Sequence, residues 1–121
     1  MDVLIPIVTG LENNAEFLNI AAKGAKKISL LLVMEREANA SRMMELTSKM
    51  EEAKKIINAM KKSCETNVEW GDVRAKIVNY ALISNPKKIC LADNGSHIIR
   101  ELAKELEAKK FNVERIKVSS P

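Results

Sequence analysis

The sequence predicts an α/β domain built on a doubly wound, mostly parallel sheet. Two apolar runs, residues 28–34 and 89–92, are continuous rather than alternating, which is typical of strands covered on both faces. Stretches with apolar residues three and four positions apart lie between the strands and give the order βαβαβαβαβ. Such connections are right-handed and make neighbouring strands parallel. A chain of 121 residues is the size of one domain, and we find no linker or repeat within residues 1–121.

The first strand is predicted at residues 3–8 and contains Pro6. A proline cannot donate a hydrogen bond to the ladder, so we expect a local irregularity in this strand. Asn13, with Glu16 three residues later, predicts the start of the first helix, and Gly24 predicts its end.

The longest helix is predicted after the second strand and a polar connection. Ser41 precedes its first turn, and the helical spacing of apolar residues continues as far as Cys64. A short third strand is expected at residues 66–70. The predicted buried face of the long helix consists of Met43, Thr47, Met50, Ala53, Ile57, Met60 and Cys64.

The third helix has clear signals at both ends. Asp72 is a favourable N-cap, and Asn85 should end the helix because a residue before a proline avoids the helical conformation. Its predicted buried face consists of Val73, Ile77, Val78, Ala81 and Leu82.

The fourth strand leads directly into a polar turn and a helix. Ser96 or Asn94 can cap that helix, leaving its first N–H groups free to face an anion. Asn112 is expected to take the left-handed position after the helix. The turn consists of Asp93, Asn94, Gly95 and Ser96. The predicted buried face of the helix consists of Ile98, Ile99, Leu102, Ala103 and Leu106.

The last strand is predicted at residues 113–118, where apolar and charged residues alternate. Alternation of this kind is typical of a strand with one exposed face. We therefore expect this strand at an edge of the sheet.

The composition indicates a soluble cytoplasmic protein. No apolar run approaches the ~20 residues that cross a bilayer, and the N-terminus does not have the pattern of a signal peptide. The net charge is +4, but basic residues are interspersed with acidic ones, and aromatic residues make up only 3% of the chain. A nucleic-acid surface needs a basic stripe with aromatic side chains for stacking, so we expect neither nucleic acid nor a membrane as a partner.

No set of residues predicts catalysis. Cys64 and Cys90 have neither metal-ligand spacing nor a CxxC motif, and we expect no disulfide between them. His97 is the only histidine, and the sequence offers it no partner that would make it a general base. A phosphoacceptor receiver domain needs acidic residues near the end of strand one, where this chain has Val8 and Thr9. We therefore expect neither an enzyme nor a metal site.

Three segments carry a resemblance to a known family. They are VLIPIVTG at the first strand, WGDVRAKIVNYA at the third helix and KKICLADNGS at the fourth strand and its turn. These segments, and the order and lengths of the elements, resemble those of the universal stress protein family. The resemblance implies a three-layer α/β/α sandwich whose five-stranded parallel sheet has the order 3-2-1-4-5.

In that strand order the ligand crevice lies between strands one and four. Nucleotide-binding members of the family have an aspartate at the end of strand one, where this chain has Val8. They also have a glycine-rich loop after strand four, of which only Gly95 is present. We therefore expect no cofactor beyond weakly bound ATP or AMP, and we expect ATP to bind more weakly than about 100 µM, if at all. The nucleotide-binding positions that the resemblance implies are Thr9, Gly10, Asp93, Asn94, Gly95 and Ser96.

These observations predict a non-enzymatic regulatory module that forms dimers and binds a protein partner, which the sequence does not identify. The alternative is an adenine-nucleotide-binding stress-response protein that uses the turns after strands one and four. Members of the family often pair through the last strand. The resemblance therefore implies a homodimer with Arg115, Ile116 and Val118 at the contact.

Overall fold

The computed structural model describes residues 1–119, in which five strands and four helices alternate. The predicted element order is confirmed. The strands are β1 (Val3–Ile7), β2 (Lys27–Met34), β3 (Ser63–Trp70), β4 (Lys88–Asp93) and β5 (Val113–Lys117). The helices are α1 (Ala15–Ala22), α2 (Ala40–Ala59), α3 (Val73–Ser84) and α4 (His97–Ala108).

The five strands form one parallel sheet in the order β3-β2-β1-β4-β5, which confirms the predicted topology. Alternation along β2 sends its side chains to two separate cores. Leu30 and Leu32 pack with residues of α1 and α2, whereas Leu31 and Val33 pack with residues of α3 and α4. Helices therefore cover both faces of the sheet, which explains why β2 is apolar throughout.

The central strand β1 is paired unequally with its two neighbours. Its pairing with β2 runs from Val3 to Ile7, whereas its described pairing with β4 comprises only Val3 with Lys88 and Leu4 with Ile89. Pro6 lies beyond that second stretch and has no N–H group for a ladder. The described pairing with β4 therefore stops before Pro6, whereas the pairing with β2 continues through it.

The start of α1 differs by one residue from the prediction. Asn14, not Asn13, is the N-cap, and its side chain accepts a hydrogen bond from the Phe17 N–H at 2.9 Å. The Asn13 side chain instead donates to the Glu52 carboxylate of α2. Asn13 is thus engaged with α2, while the adjacent Asn14 caps the helix.

The start of α2 also lies earlier than predicted. Asn39, not Ser41, is its N-cap and accepts from the Arg42 N–H at 2.8 Å. For α3 the predicted cap is confirmed, since Asp72 accepts from the Ala75 N–H at 2.9 Å.

The boundary between α2 and β3 was predicted wrongly. The helix ends at Ala59, and Lys61 takes a left-handed conformation with φ of 62°. The chain then enters β3 at Ser63, whose N–H donates to the Lys26 carbonyl at 2.9 Å. Cys64 is therefore a residue of β3, and β3 is longer than expected. On the buried face of α2, Leu46 takes the place that was predicted for Thr47.

Two side chains and one backbone conformation in α3 and α4 and the turn after α4 also differ from the prediction. Leu82 of α3 is 52% exposed, and Ile98 of α4 is 37% exposed. The left-handed residue after α4 is Lys110, with φ of 72°, not Asn112. The remaining predicted core residues of α4 are buried: Ile99, Leu102, Ala103 and Leu106.

The strands β3 and β5 are the two edges of the sheet, and the predicted edge position of β5 is confirmed. Ile116 and Val118 are buried in the core beneath α1 and α2, whereas Arg115 is exposed. The Val118 N–H donates to the Asp93 carbonyl at 2.9 Å, so β5 stays attached to β4 beyond its last strand residue.

Candidate functional site

The strand order reverses between β1 and β4, and the C-terminal ends of these strands form the rim where a ligand is expected. Three connections meet this rim: the turn after β1, the loop between β2 and α2, and the turn between β4 and α4. The described pairing of β1 with β4 ends at Leu4 and Ile89, before this rim.

A cavity of about 340 Å³ lies at this rim, closest to the ends of β1 and β2. This volume falls at the lower end of the ~300–1,000 Å³ that is usual for small-molecule sites. Ile98 is partly exposed because it faces this cavity instead of the core. The apolar lining consists of Ile7, Val8, Val33, Met34, Ala38, Leu46, Val73 and Ile98.

The polar part of the lining carries more negative than positive charge. It consists of Glu35, Glu37 and Arg42. The Arg42 guanidinium lies 3.3 Å from the Glu45 carboxylate, so its charge is already partly compensated. The cavity therefore suits an uncharged, largely apolar group better than a polyphosphate.

The turn after β1 closes around a buried carboxylate, that of Glu12. One of its oxygens, Oε2, accepts from the Val8 N–H at 3.1 Å, the Thr9 N–H at 3.0 Å and the Thr9 hydroxyl at 2.9 Å. The other, Oε1, accepts from the Gly10 N–H at 2.9 Å. Gly10 has a φ of 85°, which glycine adopts readily and which aims its N–H inward. The donors of Thr9 and Gly10, two of the predicted nucleotide-binding positions, are thus engaged by Glu12.

The turn after β4 is also largely satisfied by its own side chains. The Asp93 carboxylate accepts from the Gly95 N–H at 2.9 Å, and the Asn94 side chain accepts from the Ser96 N–H at 3.1 Å. Ser96 is the N-cap of α4, but its side chain makes no capping hydrogen bond, and its buried Oγ has no partner within the described residues. What remains for an external anion is the first turn of α4 itself.

The predicted site residues do not all meet in one cavity. Asp93, Asn94 and Gly95 line a separate shallow depression with Lys117, Val118 and Ser119, on the β5 side of the rim. The main cavity lies on the β2 side and is lined by Val8 and Ile98.

Trp70 and His97 lie at the same rim but outside the main cavity. Trp70, which is 46% exposed, lines an open groove that shares Glu35 and Glu37 with the cavity. His97 is an exposed residue of α4 beside Glu35 and Glu101. Within residues 1–119, no group of three or more His, Cys, Asp or Glu side chains is arranged to hold a metal ion.

The two cysteines are free thiols that do not line the cavity. Cys64 lies in β3 and Cys90 in β4, with β2 and β1 between them. Burial raises the pKa of the Cys64 thiol to about 11 and that of the Cys90 thiol to about 12. Both therefore remain protonated and poorly nucleophilic near neutral pH.

Sequence reasoning missed Glu12, Arg42 and most of the cavity lining. Glu12 follows Thr9 and Gly10 closely enough for its carboxylate to reach their N–H groups, and this spacing was the available signal. The lining residues of β2 and α2 gave no such signal, because their apolar side chains were equally consistent with the core.

Comparison with solved structures identifies close neighbours of this fold. A universal stress protein from Archaeoglobus fulgidus superposes with a TM-score of 0.79 at 14% identity, covering 97% of this chain and 93% of that chain. A structure of the universal stress protein from the same organism in complex with dAMP gives 0.70 at 16% identity, with 97% and 98% covered. A universal stress protein family protein from Arabidopsis thaliana with AMP bound gives 0.69 at 14% identity, with 99% and 94% covered.

These likenesses confirm the predicted fold, which is that of the universal stress proteins. No protein-family model matches the chain. A search of curated proteins finds no match either. Among residues 1–119, no helix is both long and apolar enough to cross a bilayer.

Proposed function

We propose that this chain is a non-enzymatic regulatory module whose rim cavity binds an adenine nucleoside or its monophosphate, with ATP bound weakly or not at all. The observation that carries the proposal is the cavity of about 340 Å³ at the ends of β1 and β2. Its largely apolar walls suit a flat heterocycle, and its position at the strand-order reversal is where such sheets bind ligands.

The charges around the cavity argue against a polyphosphate. Glu35 and Glu37 line it, and Arg42, a cation of the lining, is paired with Glu45. The turn after β4 has only Gly95 where a longer glycine-rich loop would be needed to surround phosphates, and its Asp93 adds a carboxylate. A free α4 N-terminus contributes roughly 0.3–1 kcal/mol to anion binding when exposed, which is far below the ~8 kcal/mol of a micromolar complex.

The nature of the ligand is suggested by the structural neighbours. One was solved with dAMP and another with AMP, and both superpose over nearly the whole of this chain. An adenine ring in the cavity, with at most one phosphate directed towards α4, is consistent with both the volume and the charge. Ligand occupancy would then be signalled to a partner protein, or to a second copy of the chain through the exposed edge of β5.

Calorimetry with adenosine, AMP and Mg-ATP tests the proposal. We expect adenosine or AMP to bind more tightly than ATP, and ATP to bind more weakly than about 100 µM. Ala38→Trp should weaken binding by about tenfold or more, because an indole at this lining position occupies the volume that the ligand needs.

The matched control is Ala59→Trp, which places the same side chain at the exposed last residue of α2. If Ala59→Trp and Ala38→Trp reduce binding equally, the ligand binds outside the cavity. Micromolar binding of Mg-ATP that Gly95→Val abolishes would instead favour an ATP-binding protein that uses the turns after β1 and β4.

A further inference from the structure

The turn after β1 has the geometry of an anion-binding nest. Three consecutive N–H groups, those of Val8, Thr9 and Gly10, converge on the two oxygens of one carboxylate together with the Thr9 hydroxyl. Successive backbone N–H groups that converge in a turn form a concave site for an anion. Here the anion is the carboxylate of Glu12, all of whose four contacts are between 2.9 and 3.1 Å.

The burial of Glu12 makes this arrangement more than a surface turn. The Glu12 residue is completely buried, so its carboxylate depends on these four donors for solvation. The donors depend equally on the carboxylate, because buried N–H groups that lose their acceptor are costly. The nest therefore requires a negative group, and the chain supplies one covalently.

We propose that the turn after β1 is an anion-binding nest filled by the chain's own Glu12 carboxylate, and that Glu12 thereby sets the selectivity of the rim cavity against phosphorylated ligands. The selectivity rests on the proposed function of the cavity. The anion preference of the nest does not.

The nest and the cavity share one residue. The Val8 N–H donates to Glu12 while Val8 also lines the cavity. A second carboxylate, that of Glu45, lies on the other side of the turn, 3.8 Å from where a Cβ on Gly10 would be. A phosphate that extended from the cavity towards β1 would thus meet two carboxylates and no free N–H group of the nest.

The first experiment replaces Glu12 by alanine and compares thermal unfolding in formate, acetate, phosphate and chloride at equal ionic strength. In chloride, Glu12→Ala should unfold at a lower temperature than the parent chain. In formate or acetate its unfolding temperature should recover, and the recovery should increase with the anion concentration, as it does for a bound ligand. Glu16→Ala removes an exposed glutamate from the first turn of α1 and should show no difference between these anions.

The same variant measures selectivity. In Glu12→Ala the nest is empty, and the AMP phosphate can accept charged hydrogen bonds from its N–H groups. The ratio of AMP affinity to adenosine affinity should therefore be about tenfold higher than in the unmodified chain. Glu16→Ala should leave the ratio unchanged.

The outcomes separate the two proposals. If formate restores Glu12→Ala no better than chloride, or if the variant stays unfolded in both, the nest proposal is wrong whatever the cavity binds. If the anions restore it but the AMP-to-adenosine ratio stays constant, the role of Glu12 in selectivity is wrong. If neither nucleoside nor nucleotide binds any variant, the proposed function of the cavity fails and with it the selectivity, while anion rescue still decides the nest.

Discussion

Two carboxylates, Glu12 and Asp2, hold backbone turns at opposite ends of the sheet. Glu12 closes the turn that leaves β1. Asp2 precedes β1 and accepts from the N–H groups of Lys26 at 2.8 Å and Lys27 at 2.9 Å, where the chain enters β2. Each thus fixes the position of β1 relative to the next part of the chain. The close spacing of Glu12 from Thr9 and Gly10 is a local signal, whereas Asp2 has none, because its donors lie 24 and 25 residues further along the chain.

Replacing Asp2 by asparagine should make the free energy of unfolding less dependent on pH. The hydrogen bonds from Lys27 and Lys26, with the neighbouring Lys87, hold the pKa of Asp2 well below its ordinary value of 3.8. Because the folded state lowers this pKa, the stabilisation is present above about pH 4 and is lost as the pH falls below it. The difference in unfolding free energy between the parent chain and Asp2→Asn should therefore be largest near neutral pH and shrink in acid.

Chemical denaturation between pH 2.5 and 7 measures this dependence, and Lys87→Ala serves as its control. Lys87 contributes only an exposed ion pair 3.3 Å from Asp2, which should matter little. If Asp2→Asn and Lys87→Ala lower the unfolding free energy equally, the backbone hydrogen bonds to Asp2 are not what stabilises the start of β2.

The end of α2 shows that the spacing of apolar residues predicts a helix but not the residue at which it ends. Met60 and Cys64 continue the helical spacing of the residues before them, so the pattern extended the helix into β3. The actual stop is the left-handed conformation of Lys61, which no side-chain period encodes. Most of the buried faces of α2 and α4 were predicted correctly, with Thr47 and Ile98 as exceptions, because burial of one face determines the spacing, whereas the helix ends depend on single backbone conformations.

Lys61→Gly should stabilise the protein. An L-residue in the left-handed region is strained, and glycine is not, so we expect a gain of about 0.5–1 kcal/mol. Lys55→Gly is the matched control, since it makes the same substitution at an exposed position inside α2 and should cost about 0.5–1 kcal/mol. Urea unfolding of both variants provides the test, and a loss of stability in Lys61→Gly would show that its side chain, not its backbone, matters there.

At the scale of the whole molecule, the sheet was predictable because its organisation follows from element order. Strands that alternate with helices and are apolar on both faces leave few arrangements other than a parallel sheet between two helical layers. The strand order itself came from resemblance to a family, not from these patterns. The site was less predictable, since the cavity is formed by side chains from β1, β2, α2, α3, α4 and the connections after β1 and β2, which meet only in the folded chain.

We predict a homodimer through the backbone edge of β5. The Ile89 N–H donates to the Asn112 carbonyl, and the Val118 N–H donates to the Asp93 carbonyl. By alternation, Arg115 and Lys117 direct their backbone groups to the open edge. Lys117→Pro should therefore abolish dimerisation without removing a hydrogen bond to β4, as light scattering at micromolar concentration would show.

The other edge of the sheet offers a matched control. The N–H groups of Ser63 and Gly71 donate to β2, so the N–H of Val68 faces outward from β3. Val68→Pro should leave a β5 dimer intact. A parent chain that is monomeric at micromolar concentration, or a dimer that only Val68→Pro disrupts, would contradict the prediction.

The position of β1 at the centre of the sheet has a consequence for synthesis. Once the ribosome has made β3, the strands β1, β2 and β3 can already pair in chain order, but the other side of β1 stays open until β4 emerges. That open side belongs to a strand whose five residues are all buried in the finished protein. A nascent or truncated chain that stops before β4 therefore exposes a backbone edge that can pair with another chain. Pro6, which lacks an N–H group, limits how far such pairing can extend.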